Sequence, residues 1–233
     1  MVDALGIDIG GTKIRAVLLR QKRILKVMEI KTPVSLEKFV AALKKILLWA
    51  DGKKLHVGIA VPGVVQGSSA LFCPNIGYLK NFNFRTVIPK TLPLFVDHDA
   101  RCFLRSEHAV GAAQGRSRIF GLILGTGIGR AYLDEDEPAI IQAFEKEELW
   151  EKEYIHLRKK APNQTLATFL ADHALPLIHS YNATNLLIGG GVLLRPNFFT
   201  KLRQEFRKAD PKLVIFRSRF KKNGVAYGAA TGA

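Results

Sequence analysis

The chain opens with two short hydrophobic runs, Leu5 to Ile9 and Ile14 to Leu19, separated by Gly10-Gly11-Thr12. Apolar runs of this length flanking glycine predict two strands joined by a turn, and Arg23 to Ile30 extends the meander by a third. Between Leu36 and Trp49 the period changes. Apolar residues at 36, 39, 40, 43, 46 and 47 follow helical spacing, and Ser35 stands where an N-cap belongs. Leu55 to Val61 reads as a buried strand stopped by Pro62-Gly63. Leu94 to Val96 is a short strand running into Asp97-His98-Asp99, and Ala100 to Val110 reads as a helix.

The same grammar then recurs. Ile119 to Leu124 and Ile128 to Leu133 predict strands around Gly125-Thr126-Gly127. Leu166 to Tyr181 predicts a helix kinked or broken at Pro176. Leu186-Leu187-Ile188 predicts a strand feeding Gly189-Gly190-Gly191, with a helix following to about Lys208 and a last strand at Leu213 to Phe216. Strands alternating with helices in both halves argue for an α/β protein of two similar lobes. The expected boundaries are 1–93 for an N-terminal lobe, 94–222 for a C-terminal lobe, and 223–233 for a terminal segment returning as a short helix.

Composition narrows the class. Over 233 residues, 48% hydrophobic and 24% charged excludes disorder as the main description, and such a length buries a core without staples. The longest apolar stretches, such as Ala174-Leu175-Pro176-Leu177-Ile178, fall far short of a bilayer span. Met1-Val2-Asp3-Ala4-Leu5-Gly6 is not a basic-then-apolar leader. Two cysteines, Cys73 and Cys102, make neither a disulfide framework nor a C-x-x-C zinc pair. A reduced, cytoplasmic protein is expected, with no membrane partner.

Charge is the unusual bulk property. Thirty-five basic against 20 acidic residues give a net +15. Such a surplus suits polyanions, whether nucleic acid, anionic membrane or phosphate-rich small molecules, although a solvated surface uses the same residues. It is uneven: residues 201–223 carry a local +7, and residues 134–153 a local −7 in an acidic, helix-prone run.

The glycine turns carry the first chemistry. In Asp8-Ile9-Gly10-Gly11-Thr12-Lys13, glycines admit φ > 0 and let backbone N–H groups approach an anion without a Cβ in the way. Thr12 adds a hydroxyl and Lys13 a charge. Asp8 could orient a hydrated Mg²⁺ beside phosphates. Gly125-Thr126-Gly127 offers the same groups, and two such hairpins could hold a polyphosphate between them. An ordinary tight hairpin would use these residues too. Gly189, Gly190 and Gly191, at a strand-to-helix junction, let a flat group lie on backbone and put a helix N-terminus near an anion. Neither turn is a Walker A loop or a G-x-G-x-x-G opening a helix.

Read in order, these residues resemble the ROK sugar kinases, within the actin/hexokinase-like phosphotransferases. The carriers are Asp8 to Lys13, Val61-Pro62-Gly63, Pro74-Asn75-Ile76, His98-Asp99-Ala100, Gly125-Thr126-Gly127-Ile128-Gly129 and Ile188-Gly189-Gly190-Gly191. The resemblance implies a two-lobed actin-like/ribonuclease H-like ATPase fold with a mixed sheet in each lobe and an interlobe cleft. It implies that the two turns hold ATP phosphates and that Gly189–Gly191 lies by the adenosine. Asp99 occupies the family's catalytic position. A sugar hydroxyl near pKa 15 is a poor nucleophile, and an aspartate in hydrogen-bond reach accepts its proton as transfer proceeds. Asn75 and Gly63 match family sugar contacts. His98 stands where the family has Asn, and neutral imidazole also offers one donor and one acceptor.

One stretch departs from the pattern. Family members continue past the second turn to a Gly-Glu-x-Gly-His sugar-binding stretch, many with a cysteine-rich zinc loop, and residues 130–162 contain neither. His156 with Glu153 or Glu148 could substitute, but an ordinary solvated amphipathic helix is the preferred reading of these residues. The expectation is an ATP- and Mg²⁺-dependent sugar kinase of reduced size, without zinc, acting on a hexose or amino sugar. A polyphosphate-using glucokinase and a non-catalytic sugar or nucleotide sensor remain alternatives, as does a homodimer. Specific nucleic-acid binding is not expected, because the first core strand begins almost at once.

Overall fold

The computed structural model describes residues 3–51, 55–134, 141–143 and 149–232. The elements run β1 (Asp3–Ile9), β2 (Lys13–Arg20), β3 (Arg23–Lys31), α1 (Leu36–Ala50), β4 (Leu55–Val61), β5 (Val64–Gln66), β6 (Ser69–Phe72), β7 (Phe82–Asn83), β8 (Leu94–His98) and α2 (Asp99–Val110). They continue as β9 (Ile119–Leu124), β10 (Ile128–Leu133), β11 (Ile141–Ala143), α3 (Leu149–Lys160), α4 (Asn163–Ser180), β12 (Asn185–Gly189), α5 (Phe198–Ala209), β13 (Val214–Arg217) and α6 (Gly224–Gly232). None of the described helices is long and apolar enough to cross a membrane.

Contacts divide the chain into Met1–Ser106 with Asn223–Ala233, and Glu107–Lys222. The sequence reading drew its line after Pro93. Here β8 pairs in parallel with β4, so it belongs to the first sheet, and the division falls inside α2.

The first unit is built on a sheet ordered β3-β2-β1-β4-β8. Its meander is antiparallel, and β1, β4 and β8 run parallel. Phe39, Leu43 and Ile46 of α1, spaced by one helical turn, are buried in one core with Leu5, Ile7 and Ile9 of β1. Ser35 caps α1 by accepting from the Lys38 N–H. A small sheet, β5-β6-β7, adjoins this core; its hairpin turns at Gly67, whose φ of 57° is left-handed. The sequence reading passed over it, because its strands have only two to four residues.

Helix α6 packs on the same sheet without side chains between. A Cβ on Gly6 would lie 1.7 Å from the Ala226 carbonyl oxygen, and one on Gly58 would lie 1.9 Å from that of Ala229. Gly228 makes the same approach to Cys102 of α2. The last helix, Gly224–Gly232, seats on this sheet because glycine removes the side chains that would stand between.

The second unit repeats the plan, with strand order β11-β10-β9-β12-β13, an antiparallel meander followed by parallel β9, β12 and β13. Its core gathers Phe120, Leu122, Leu166, Leu170, Ile188 and Phe206. Helix α4 stays continuous through Pro176, contrary to a break there. The helix expected directly after Gly191 is instead a 3-10 turn, Gly191–Leu194, because Pro196 and the left-handed Asn197 delay α5 to Phe198. Part of the acidic run lies outside the described residues. Of the rest, Ile141–Ala143 is a strand rather than helix, and Leu149 onward forms α3.

Candidate active site

In each unit the candidate residues follow the carboxyl ends of parallel strands, where open α/β sheets place their ligand sites. In the first unit, Asp8 and Gly10 lie at the end of β1, Gly63 follows β4, and His98 and Asp99 close β8. In the second, Gly125 follows β9, and Gly189 and Gly190 end β12.

The first turn is tightly held. The Gly10 N–H donates to the Lys13 carbonyl at 2.9 Å, closing the turn on itself. Thr32, just past β3, grips it from outside: its Oγ1 donates to the Gly10 carbonyl at 2.6 Å, and its N–H donates to the Thr12 carbonyl at 3.0 Å. Neither Gly10 nor Gly11 is left-handed, so positive φ is not why glycine stands there. Close approach is the reason. A Cβ on Gly11 would sit 2.9 Å from the Cβ of Asn75, so the turn and Asn75 are in direct contact. Lys13 pairs with Glu29 at 2.5 Å, and Glu29 also pairs with Arg15. Lys13 is largely exposed, and a surface pair of this kind holds it only weakly.

Two carboxylates converge beside this turn. Burial, and then the charge of Asp99, push Asp8 up to about 7, against the pull of Arg15 opposite it on β2. Asp99 is also raised by burial, while His98 and the Ala100 N–H draw it back. Its Oδ1 accepts the Ala100 N–H at 2.7 Å and stands 3.0 Å from His98 Nδ1. His98 is buried and turned onto Asp99. The Ala100 N–H also donates to His98 Nδ1 at 3.1 Å, so the imidazole nitrogen and the carboxylate share that donor. Oδ1 is thus engaged at the start of α2.

The corner holding Asp99 is fixed by Asp97, which pairs with Arg101 at 2.7 Å and accepts from Arg105 at 2.8 Å and from the His98 N–H at 2.7 Å. Cys73, next to Pro74-Asn75, is close enough to Asp99 that its charge, after burial, helps push the thiol up to about 11. Gly63 is left-handed at φ 102°, and a Cβ there would strike the Phe72 carbonyl. The first unit therefore brings together Asp8, Gly11, Asn75, His98 and Asp99, with Gly63 against the strand that leads to Asn75.

The second turn is built alike. The Gly125 N–H donates to the Gly127 carbonyl at 3.0 Å, and the buried Tyr154 hydroxyl of α3 donates to the Gly125 carbonyl at 3.0 Å. A Cβ on Gly127 would meet nothing within 4 Å, so the turn presents an open face. Gly190, at φ 99°, lies so close to Leu124 that a Cβ would sit 2.3 Å from its carbonyl oxygen, which sets the third glycine motif beside the second turn. The expected helix N-terminus at Gly191 is absent; only the 3-10 turn begins there. Helix α3 is anchored by Glu151, paired with Arg130 of β10 at 2.9 Å, the two side chains 7% and 3% exposed. His156 bonds within its own helix, to the Lys152 carbonyl, and Glu148 lies outside the described residues.

Sequence reasoning missed Thr32, Asp97 and Tyr154. Nothing local marks Thr32 and Tyr154, whose partners stand 22 and 29 residues away, while Asp97 acts through Arg101 and Arg105 only once both lie on α2. A further depression of about 920 Å³, lined by Arg118, Tyr132, His179 and Asp210 among others, lies at the amino ends of β9, β12 and β13, the end of the sheet away from the glycine turn.

A stretch of 131 residues is 35% identical to the N-acetylgalactosamine kinase AgaK of Shewanella sp. strain ANA-3, covering 53% of this chain and 42% of that enzyme. The chain thus matches less than half the length of such curated relatives. Two solved structures superpose on nearly all of it. A ROK family glucokinase from Streptomyces griseus in complex with glucose and AMPPNP has a TM-score of 0.81 at 20% identity, covering 99% of each chain. The inorganic polyphosphate/ATP-glucomannokinase from Arthrobacter sp. strain KM has a TM-score of 0.78 at 19% identity, covering 100% of this chain and 98% of that one. The model of the ROK family matches residues 4–143, from β1 through both glycine turns to β11, and the chain belongs to that family.

Proposed function

We propose that the chain phosphorylates a hydroxyl of a hexose or amino sugar with ATP as donor. The observation that carries this reading is the convergence of Asp8, Asp99 and Asn75 on the first glycine turn. In it, Asn75, His98 and the backbone at Gly63 hold the sugar. Asp99 takes the hydroxyl proton while the sugar oxygen forms its bond to the γ-phosphorus and the bridging P–O bond breaks, releasing ADP. Backbone amides and hydroxyls of Gly10, Gly11, Thr12, Gly125, Thr126 and Gly127 serve the phosphates, Lys13 adds positive charge, and Gly189, Gly190 and Gly191 serve the adenosine side.

Among the described residues no group of three or more His, Cys, Asp and Glu side chains is disposed to hold a metal ion. Mg²⁺ fits such a site, because it keeps most of its waters and uses one or two carboxylates with substrate phosphates. Asp8 would hold it through water, and its raised pKa marks a carboxylate lacking compensating positive charge. When bound, the ion neutralises charge developing on the transferred phosphoryl group.

The net +15 favours a second donor, inorganic polyphosphate, whose many charges an extended basic surface attracts. One coupled assay tests both: ADP release across hexoses and amino sugars, then sugar phosphate formation with polyphosphate replacing ATP. Turnover abolished by Asp99→Asn supports the kinase. Nucleotide or sugar binding without turnover on any acceptor would overturn it in favour of a sensor.

A further inference from the structure

The two glycine turns share a feature beyond their sequence. In each, the carbonyl of the first turn glycine accepts a hydrogen bond from a hydroxyl far away in the chain: Thr32 for Gly10, at 2.6 Å, and Tyr154 for Gly125, at 3.0 Å. Both hydroxyl residues are buried. Each is itself held. Thr32 is tied by its N–H to the other limb of its turn, and Tyr154 rides on a helix fixed to β10 by the buried Arg130–Glu151 pair. Burial keeps the Tyr154 phenol protonated well beyond its ordinary range, so it remains a donor at any working pH.

The consequence is geometric. In a trans peptide the C=O and the following N–H point to opposite sides. A hydroxyl gripping the Gly10 carbonyl therefore turns the Gly11 N–H away from Thr32, and one gripping the Gly125 carbonyl turns the Thr126 N–H away from Tyr154. Among the described residues neither N–H has a protein partner. A glycine peptide flips at little steric cost, and a flipped plane would present a carbonyl oxygen, not a donor, to an anion. We propose that Thr32 and Tyr154 are positioning residues that hold the first peptide of each turn with its N–H outward, ready for a phosphate oxygen.

This rests on the reading of the turns as phosphate cradles, and a pair of isosteric variants tests it. Thr32→Val and Tyr154→Phe remove the hydroxyls and keep the shapes, and Thr32→Ser restores one. Calorimetric titration with ATP and with inorganic tripolyphosphate gives the phosphate affinity, and steady-state kinetics separate the ATP and sugar KM values. Losing one hydrogen bond predicts about fivefold weaker phosphate binding and a matching rise in the ATP KM for each variant. The sugar KM should stay unchanged, and Thr32→Ser should recover wild-type affinity. Wild-type phosphate affinity in both variants, or equal weakening for ATP and sugar, would overturn the proposal. Wild-type protein that binds tripolyphosphate and loses it in the variants, yet phosphorylates no sugar, upholds the positioning role and sinks the kinase. Failure of the wild-type protein to bind any phosphate compound overturns both.

Discussion

Asp8, ending β1, and Asp99, opening α2, are electrostatically coupled: after burial, the charge of Asp99 is the main reason the Asp8 carboxyl rises to about 7. The pair sits at the ends of two strands, β1 and β8, that are separated in the sheet by β4. Its two members have different surroundings. Asp99 has the Ala100 N–H and His98 to stabilise its charge, whereas Asp8 has only the opposing pull of Arg15. Asp99 therefore has local groups that favour its charged form, and Asp8 is the one that gains most from a nearby cation.

Replacing Asp99 with Asn should remove the proton acceptor while keeping the shape. General-base catalysis contributes about 10²–10⁴-fold, so kcat should fall by at least about a hundredfold with the sugar KM little changed. Residual activity within about threefold of wild type would assign the base elsewhere.

Asp8 makes a prediction about stability with the opposite sign to most carboxylates. Its folded pKa, about 7, lies above its ordinary 3.8, so between those values the folded state binds the extra proton. Its contribution favours folding below about pH 4 and is lost as pH rises through 7. Asp8→Asn should consequently raise the melting temperature at pH 8, by an amount worth on the order of a few kcal/mol, and change little at pH 4. The same substitution should abolish Mg²⁺-dependent turnover. Thermal unfolding at both pH values checks it, and an equal shift at each would rule out titration of Asp8 as the cause.

The repeated plan of the two sheets was legible because short hydrophobic runs broken by glycine occur twice, and the resulting topologies match strand for strand. Glycine turns are legible for the same reason. What they are for locally was misjudged: Gly10, Gly11, Gly125 and Gly127 avoid the left-handed region, and Gly11 serves close approach to Asn75. The helix after Gly191 was drawn too early because Asn197, whose left-handed φ precedes α5, is a local signal weaker than the apolar run it interrupts. Thr32 and Tyr154 left no trace in any window, since their partners stand 22 and 29 residues away. Asp97 resembled a strand-end polar residue and became a corner anchor only once Arg101 and Arg105 lay on one face of α2.

Gly11→Ala follows from that contact. The added methyl would stand 2.9 Å from the Asn75 Cβ, tighter than side chains tolerate, so either turn or acceptor loop must move. If the turn serves the phosphates and the loop the sugar, as proposed, both KM values should rise, by roughly fivefold or more, in a protein whose unfolding loses about 1–3 kcal/mol. A variant with a raised ATP KM and an unchanged sugar KM would show that the turn alone yields.

The Arg130–Glu151 pair gives the last prediction. Both side chains are buried, so removing one leaves a charge without its partner in a medium that solvates it poorly. Arg130→Met should cost about 3–5 kcal/mol, whereas Arg130→Met combined with Glu151→Leu should recover most of that loss, since an apolar pair avoids the desolvation both ions suffer. If α3 positions Tyr154 through this pair, the single variant should also weaken ATP binding and the double variant should restore it together with stability. Chemical denaturation of the three proteins, with ATP titration of each, measures both quantities. Restored stability without restored ATP affinity would mean that the charge pair serves the site through something other than the placement of α3.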